Sequence, residues 1–376
     1  MNSAMKLLTK VLSRRLKLVM PMVVSQVQSA FIRGRQITDS IMLANEVVSA
    51  LQDGKSKGIV LKIDFEKAFD RVSWEYVYEV LRIMNFDSRW ISWVRELFCS
   101  SKISVLVNGS PGEEFAPTRG LRQGDPLSPL LFNLVGETLA ALLKKASLLR
   151  LTNGVLLPNS TNPITHLQFA DDVILFIQDD FHSIIGIKRV LQCFQILSGF
   201  KINFQKSSLY AFGNSRIHLK EWAEILGCKV DKGPINYLGA VLGANPRNVR
   251  FWDPLVSKFI NKLNSYEAEK ISLAGKMVLL RAAIDSTPLY WFSLFKIPAT
   301  VANKLDQNRR SFLWGRNKDG GNKLHLLCWD KICTPKDIGG LGITSIRLKN
   351  LAILAKWIWK AYACLLYTSP SPRDRG

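Results

Sequence analysis

Several things are scarce in this sequence, and each scarcity excludes something. No run of 18 apolar residues occurs among its 376 residues, which excludes a membrane-spanning helix of the usual length. Acids are few: 30 Asp and Glu stand against 51 Lys and Arg, a formal charge of +21 and a pI near 9.8. A surface so positive repels itself unless a polyanion lies against it. Nucleic acid is the commonest such partner, and an anionic membrane surface is the second. The six cysteines, at 99, 193, 228, 328, 333 and 364, form no spaced framework, which fits a reducing compartment and buried free thiols rather than a disulfide scaffold. His325, Cys328 and Cys333 lie close together but lack a fourth spaced partner, so no zinc site is expected there. No repeat at a fixed period is present, which argues against a solenoid. Nor is the N-terminus a signal peptide, because Lys6, Lys10, Arg14, Arg15 and Lys17 interrupt every candidate apolar core.

What is present has a clear order. Residues 1–50 read as helical and basic, with an irregular stretch near Arg33-Gly34-Arg35. Residues 58–63 form a β-branched run that delivers Asp64 at its end. Val77, Val80, Leu81 and Met84 have helical spacing, and Asp87-Ser88 predicts a cap before a second helix. Residues 103–107 followed by Asn108-Gly109 predict a strand entering a hairpin. A segment rich in glycine, proline and charge, 119–129, precedes a long apolar helix from about Pro129 to Lys145. Residues 166–177 predict strand, tight turn, strand, with Asp171 and Asp172 at the turn. From about 250 onward the pattern is helical, basic and rich in tryptophan, so mixed α/β gives way to all-α between 215 and 250. The last residues, 367–376, carry no apolar period and are expected to be disordered.

An Asp-Asp pair at a turn is by itself most often just a solvated turn. Here the flanks change the reading. Phe169-Ala170 before the pair and Val173 to Ile177 after it root the hairpin in a core, and a rooted hairpin holds carboxylates rigidly. Asp64 repeats the arrangement at the end of another apolar strand. Carboxylates without Cys or His partners suit a hard, oxygen-seeking cation such as magnesium. Two such ions about 3.5–4 Å apart can activate an attacking hydroxyl and stabilise a departing phosphate oxygen.

Four blocks in order carry a resemblance. They are 28–35 (Gln28-Ser-Ala-Phe-Ile-Arg-Gly-Arg35, with Thr38-Asp39), 62–70 (Lys62-Ile-Asp-Phe-Glu-Lys-Ala-Phe-Asp70), 120–129 (Gly120-Leu-Arg-Gln-Gly-Asp-Pro-Leu-Ser-Pro129) and 169–172 (Phe169-Ala-Asp-Asp172). In this order they resemble the reverse transcriptases of non-LTR (LINE-type) retrotransposons, especially the plant-type elements, over residues 5 to about 364. Such a family member has an α+β, right-hand polymerase fold: fingers, a palm of antiparallel sheet plus helices, and a helical thumb. The resemblance implies an N-terminal fingers extension over 1–55, fingers and palm with the catalytic site over 56–215, and a palm–thumb link with helical thumb over 216–300. A helical C-terminal region over 301–366 and the tail 367–376 complete the division.

It also implies roles. Asp64 and Asp171 would bind two Mg2+ ions, with Asp172 completing the acidic site. Phe69 would be an aromatic gate against a ribose 2′-hydroxyl, although on the residues alone it reads equally well as an ordinary core aromatic. Gln123 and Gly124 would lie over the incoming nucleotide, with Arg122 meeting phosphate, and Lys206 would give a proton to the departing pyrophosphate. Read blandly, Arg122 is a loop charge and Lys206 one of many surface lysines. Residues 235–239 resemble the segment that grips the primer. Arg33, Arg35, Lys258, Lys262, Lys276 and Arg281 would contact nucleic-acid backbone, some of the lysines being simply solvated. The Trp-Asp and Gly-Gly-Leu-Gly pattern at 329–342 also matches the family, with no chemistry attached to it.

The implied partners are an RNA template, a DNA primer and deoxynucleoside triphosphates, with no membrane and an open oligomeric state. The location is nucleus or cytoplasm, the nucleus by resemblance alone. Full elements carry an endonuclease ahead of this region and often a zinc knuckle or RNase H domain behind it, so the expectation is a polymerase core from a larger element. One departure is local: Ser25-Gln26-Val27 stands where the family usually has an acid. Two readings compete: a catalytically inactive or domesticated nucleic-acid-binding remnant, and a two-metal nuclease or phosphatase. The last would explain the acids but not the Gln-Gly-Asp-Pro block.

Overall fold

The structure, a computed structural model, describes residues 3–158, 160–212, 215, 217–315 and 327–368, with only the backbone for 363–368. His325 and residues 369–376 lie outside the described residues. The chain divides into two compact units, Met1–Gly243 and Ala244–Gly376.

The first unit is mixed α and β. Two helices open it, α1 (Ser3–Val23) and α2 (Ile37–Gln52). Strand β1 (Ile59–Ile63) follows, then the short α3 (Ala68–Arg71), α4 (Trp74–Ile83) and α5 (Ser88–Cys99). The predicted stop between α4 and α5 is real: Ser73 caps α4 by accepting from the Tyr76 N–H, and Asp87 caps α5 by accepting from the Arg89 N–H. The hairpin at Asn108-Gly109 forms where the sequence predicts it, its first arm bonded from Ile103 onward. Only β2 (Leu106–Val107) and β3 (Ser110–Pro111) pair as strands, and both are exposed. Beyond them the two arms stay bonded, the Gly112 N–H donating to Val105 O at 2.9 Å and Ile103 and Phe115 exchanging two backbone bonds at 2.9 Å.

Helix α6 (Ser128–Leu148) buries residues all round its first turns, because α1, α4 and α7 (Phe181–Ser198) all pack on it. Its entry is fixed by Asp125, which is buried and accepts from the Leu127 N–H at 2.9 Å. Strands β4 (His166–Phe169), β5 (Asp172–Ile177), β6 (Ser208–Ala211) and β7 (Lys229–Val230) complete a five-stranded sheet in the order β4-β5-β1-β6-β7. All its pairings are antiparallel except β6–β7. The central strand β1 buries residues pointing to both faces, which is why its sequence is a continuous apolar run rather than an alternating one. Helix α8 (Leu219–Leu226) leads into β7, and a separate hairpin, β8 (Ile235–Tyr237) and β9 (Ala240–Leu242), ends the unit.

The second unit is helical: α9 (Asp253–Asn264), α10 (Leu273–Leu279) running into a π-helical turn at Leu280–Ile284, α11 (Leu289–Phe292), α12 (Ala299–Trp314), α13 (Trp329–Cys333) and α14 (Ile346–Thr368). Trp252, Phe259, Phe292, Leu305 and Leu313 fill its core. Buried among them, Arg309 pairs with Asp306 at 2.7 Å and Asp285 at 3.1 Å. Of the 329–342 segment that carried no chemistry in the sequence, Trp329 and Ile332 join this core, Trp329 under the guanidinium groups of Arg309 and Arg310, while 335–339 are exposed.

The thiols depart from the expectation of burial. Cys99, Cys193 and Cys328 are exposed, and Cys228 and Cys333 are half-buried. Cys99 and Cys193 lie on the outer faces of α5 and α7, while Cys228 and Cys328 lie outside the helices. No described helix is long and apolar enough to cross a membrane.

Candidate active site

Strand β1 runs antiparallel to β5 with Ile63 opposite Val173. One step further along, Asp64 stands at the level of Asp172. The β4–β5 hairpin closes between Phe169 and Asp172, so Ala170 and Asp171 alone make its turn. Neighbouring strands lie about 4.8 Å apart, so all three aspartates gather at one end of the sheet. Asp64 and Asp171 are exposed and Asp172 is half-buried.

Each acid is held by its backbone. The Asp64 N–H donates to Ser207 Oγ at 3.1 Å, and its carbonyl accepts from the Asn203 N–H at 2.8 Å. The turn that makes these bonds carries Lys206, whose side chain is exposed. Ala170, in the left-handed region at φ 54°, has its N–H held by Gln28 Oε1 at 3.0 Å. The same oxygen accepts from the Ala30 N–H, also at 3.0 Å, and Gln28 is wholly buried. Thus the 28–35 block braces the turn that presents Asp171. Nothing in the sequence marked Gln28 for this, because a buried glutamine gives no periodic signal.

Asp172 sits in a different environment. Burial pushes its carboxyl above the ordinary aspartate range; the Lys62 ammonium and a hydrogen bond from the Leu238 N–H pull it back down, and the Asp171 charge raises it. Its Oδ1 is buried without a hydrogen-bond partner among the described residues, and Lys62 Nζ stands 3.7 Å away. The donor set at this end of the sheet is all oxygen, as a hard divalent cation requires. Even so, no group of three or more His, Cys, Asp or Glu among the described residues is drawn close enough to form a ready metal cluster. An orphaned carboxylate oxygen beside two exposed carboxylates fits such an ion in chemistry, with Asp64 and Asp171 as the accessible pair.

The 120–124 segment is tied to the stretch that follows Asp64 through backbone bonds. The Gly120 N–H donates to Val72 O at 2.8 Å, and the Leu121 N–H to Phe69 O at 2.7 Å. Gly120, at φ 89°, comes so near that a Cβ there would lie 2.7 Å from Asp70 O, so only glycine fits. Phe69 is half-buried and stacked on Phe132 at 4.4 Å between centroids and 8° between planes. Phe132 stacks in turn on Phe200. Gln123 and Gly124 are exposed on the loop between Gly120 and α6. A cavity of about 850 Å³ opens beside Gln123, with Asp70, Lys102, Arg119 and Arg122 on its walls; the three aspartates do not line it. Arg122 donates to Leu97 O, so part of its guanidinium is engaged in bracing α5.

The proposed backbone contacts separate in the same way. Arg33 and Lys258 are exposed. Arg35 donates to the carbonyls of Ser25, of Gln28 at 2.5 Å and of Val24 at 2.7 Å. That guanidinium holds its own loop and is not free for phosphate. Lys262 donates to Ala283 O at 2.7 Å, and Lys276 reaches Leu313 O at 3.5 Å. Arg281 is half-buried in the π-helical turn.

A family model described as reverse transcriptase (RNA-dependent DNA polymerase) matches residues 1–242. The chain belongs to the reverse transcriptase family. Its fold is the right-hand polymerase fold of that family. Among curated relatives, the transposon TX1 uncharacterized 149 kDa protein of Xenopus laevis is 28% identical over 379 residues, covering 98% of this chain and 27% of that protein. A retrovirus-related Pol polyprotein from the type-1 retrotransposable element R2 of Popillia japonica is 28% identical over 362 residues, covering 92% of this chain and 48% of that protein. The chain thus spans about a quarter to a half of the length of these relatives. Among solved structures, apo telomerase from Candida tropicalis is 13% identical at a TM-score of 0.45, covering 81% of this chain and 53% of that one.

Proposed function

We propose that this chain is an RNA-directed DNA polymerase core of a LINE-type retrotransposon, extending a DNA primer on an RNA template from deoxynucleoside triphosphates. The carrying observation is the register that brings Asp64 at the end of β1 to the level of Asp172, beside the two-residue turn bearing Asp171. Asp64 and Asp171 hold two Mg2+ ions, with Asp172 adding to the negative charge of the site. When bound, such ions favour an ionised primer hydroxyl and offset charge on the departing phosphate.

The chain's own groups do the rest. Phe69, kept rigid by Phe132, bars a ribose 2′-hydroxyl, while Gln123 and Gly124 cover the nucleotide. Lys206, on the turn that clasps Asp64, gives its ammonium proton to the leaving pyrophosphate oxygen. Lys102, Arg119 and the remaining Arg122 donors put positive charge beside Gln123, where a triphosphate needs it. Arg33 and Lys258 are accessible to backbone phosphates, and Arg281, Lys262 and Lys276 come second because they are partly engaged or half-buried. The same reading puts the chain in the nucleus or the cytoplasm, the nucleus following from the resemblance alone.

The test is primer extension with purified chain, Mg2+ and an RNA template. Wild type incorporates deoxynucleotides and Asp171→Ala does so at least ~10³-fold more slowly, the several kcal/mol a metal site contributes. Equal incorporation by both refutes the assignment.

A further inference from the structure

We propose that Lys62 is a positioning residue, latching the β8–β9 hairpin onto the catalytic β4–β5 hairpin through Asn236 and Asp172. The proposal rests on the polymerase reading for what the latch positions, but not for whether the latch exists.

Lys62 lies two residues before Asp64 on β1 and pairs directly with Ile174, which lies two residues after Asp172 on β5. Side chains alternate along a strand, so Lys62, Asp64 and Asp172 share one face. Its ammonium donates to the carbonyl of Asn236 at 2.6 Å and stands 3.7 Å from Asp172 Oδ1. It therefore bridges two hairpins that are not neighbours in any sheet.

The β8–β9 hairpin is shaped to meet it. Tyr237 pairs with Ala240, leaving Leu238 and Gly239 as the turn, at φ 50° and 81°. Positive φ at both positions defines the type I′ turn, whose first place favours asparagine, aspartate or glycine. A leucine there is strained, because its Cβ crowds the following carbonyl. The strained residue is the one whose N–H donates to the Asp172 carboxylate. Strain of this kind persists only where the surroundings over-determine it, and it clusters at functional sites. The hairpin's other end is pinned as well: the Gly243 N–H donates to Asn45 Oδ1 on α2 at 2.9 Å. With the base fixed, the tip is the part that Lys62 and Asp172 control.

A lysine serving only to neutralise Asp172 would have no need of Asn236. The backbone carbonyl makes Lys62 a strut between the group beside the reacting phosphate and the segment that resembles a primer grip. Displacing that segment misplaces the primer end while leaving the cavity beside Gln123, whose walls it does not line, as it was.

The test compares Lys62→Met, which keeps the stem and removes the donors, with Lys62→Arg, which keeps both donors and charge. Amide hydrogen exchange is read first, on the free chain. Lys62→Met should exchange about tenfold faster across residues 235–242, including the Leu238 amide, with α6 and α7 unchanged and Lys62→Arg close to wild type. Exchange in 235–242 that is the same in Lys62→Met and wild type overturns the latch. Steady-state primer extension is read second. Lys62→Met should raise KM for primer–template about tenfold, leave KM for deoxynucleotide within about twofold, and be rescued by Lys62→Arg. A rise in nucleotide KM without one for primer–template overturns the positioning role. If wild type extends no primer, the polymerase reading falls, and the latch is judged by exchange alone.

Discussion

The two units of this molecule treat their aspartates in opposite ways. In the helical unit Asp285 and Asp306 are buried, and each is paired with Arg309, whose side chain is wholly enclosed. Burial raises both carboxyls and the Arg309 charge pulls them back, so their job is finished inside the fold. In the mixed unit Asp64 and Asp171 sit exposed at strand ends, their backbones clamped and their carboxylates facing out. Rigid backbone with an unspent charge is the mark of a site; rigid backbone with a cancelled charge is the mark of a core. Asp172 lies between these cases, half-buried and partly engaged by Lys62 and Leu238.

Amide substitutions offer the sharpest break in that comparison. Asp64→Asn should reduce primer extension by at least ~10³-fold while leaving the denaturant midpoint of unfolding unchanged, since the carboxylate is exposed and carries no ion pair among the described residues. A large loss of stability would put Asp64 with the core acids instead. Next in size, Arg309→Met takes the cation from buried Asp306 and leaves Asp285 only Lys349 at 3.5 Å, and should destabilise the helical unit by about 3–5 kcal/mol, read as a lower midpoint in denaturant. An unchanged midpoint would mean that the network is not a closed one.

A third test concerns His166 on β4, which burial holds down to about 4. Because its folded value lies below the ordinary 6.5, its contribution is complete above pH 6.5. It is lost as the pH falls from 6.5 towards 4, where the unfolded chain takes up the proton first. The difference corresponds to about 3 kcal/mol. His166→Gln should flatten the stability of the protein over that window, and a profile that still falls equally would assign the loss to another group. The smallest effect is expected at the gate. Phe69→Ala should lower the preference for deoxynucleotides over ribonucleotides by ~10- to 100-fold, measured as a ratio of kcat/KM values. An unchanged ratio would make Phe69 one more ring of the Phe132–Phe200 stack.

Much of the candidate site's framework was legible in the sequence. The strand ending in Asp64 and the apolar flanks of Asp171 and Asp172 carry period and composition, and caps such as Asp87 announce themselves by residue type. What stayed hidden shares a different property. Gln28, Lys62 and Leu238 act across gaps of many residues, through single hydrogen bonds to backbone or carboxylate. A lone glutamine or lysine looks the same on a surface as in such a contact. Arg35 shows the converse: a cation in a matching block, apparently made for phosphate, whose donors go to its own loop. The exposed thiols and the buried Trp329 make the same point for packing.

The sequence by itself determined the chemistry: a strongly basic chain, three aspartates on apolar strands, and ordered blocks that name the family. These are local properties, set by residue type and spacing along one strand or turn. Only the tertiary structure decided which charges are free. It placed Asp64 level with Asp172 through the β1–β5 register, closed Arg309 within the helical unit, and brought Lys62 between two hairpins. A charge is silenced or left available by its neighbours in space, and those neighbours come from distant parts of the chain.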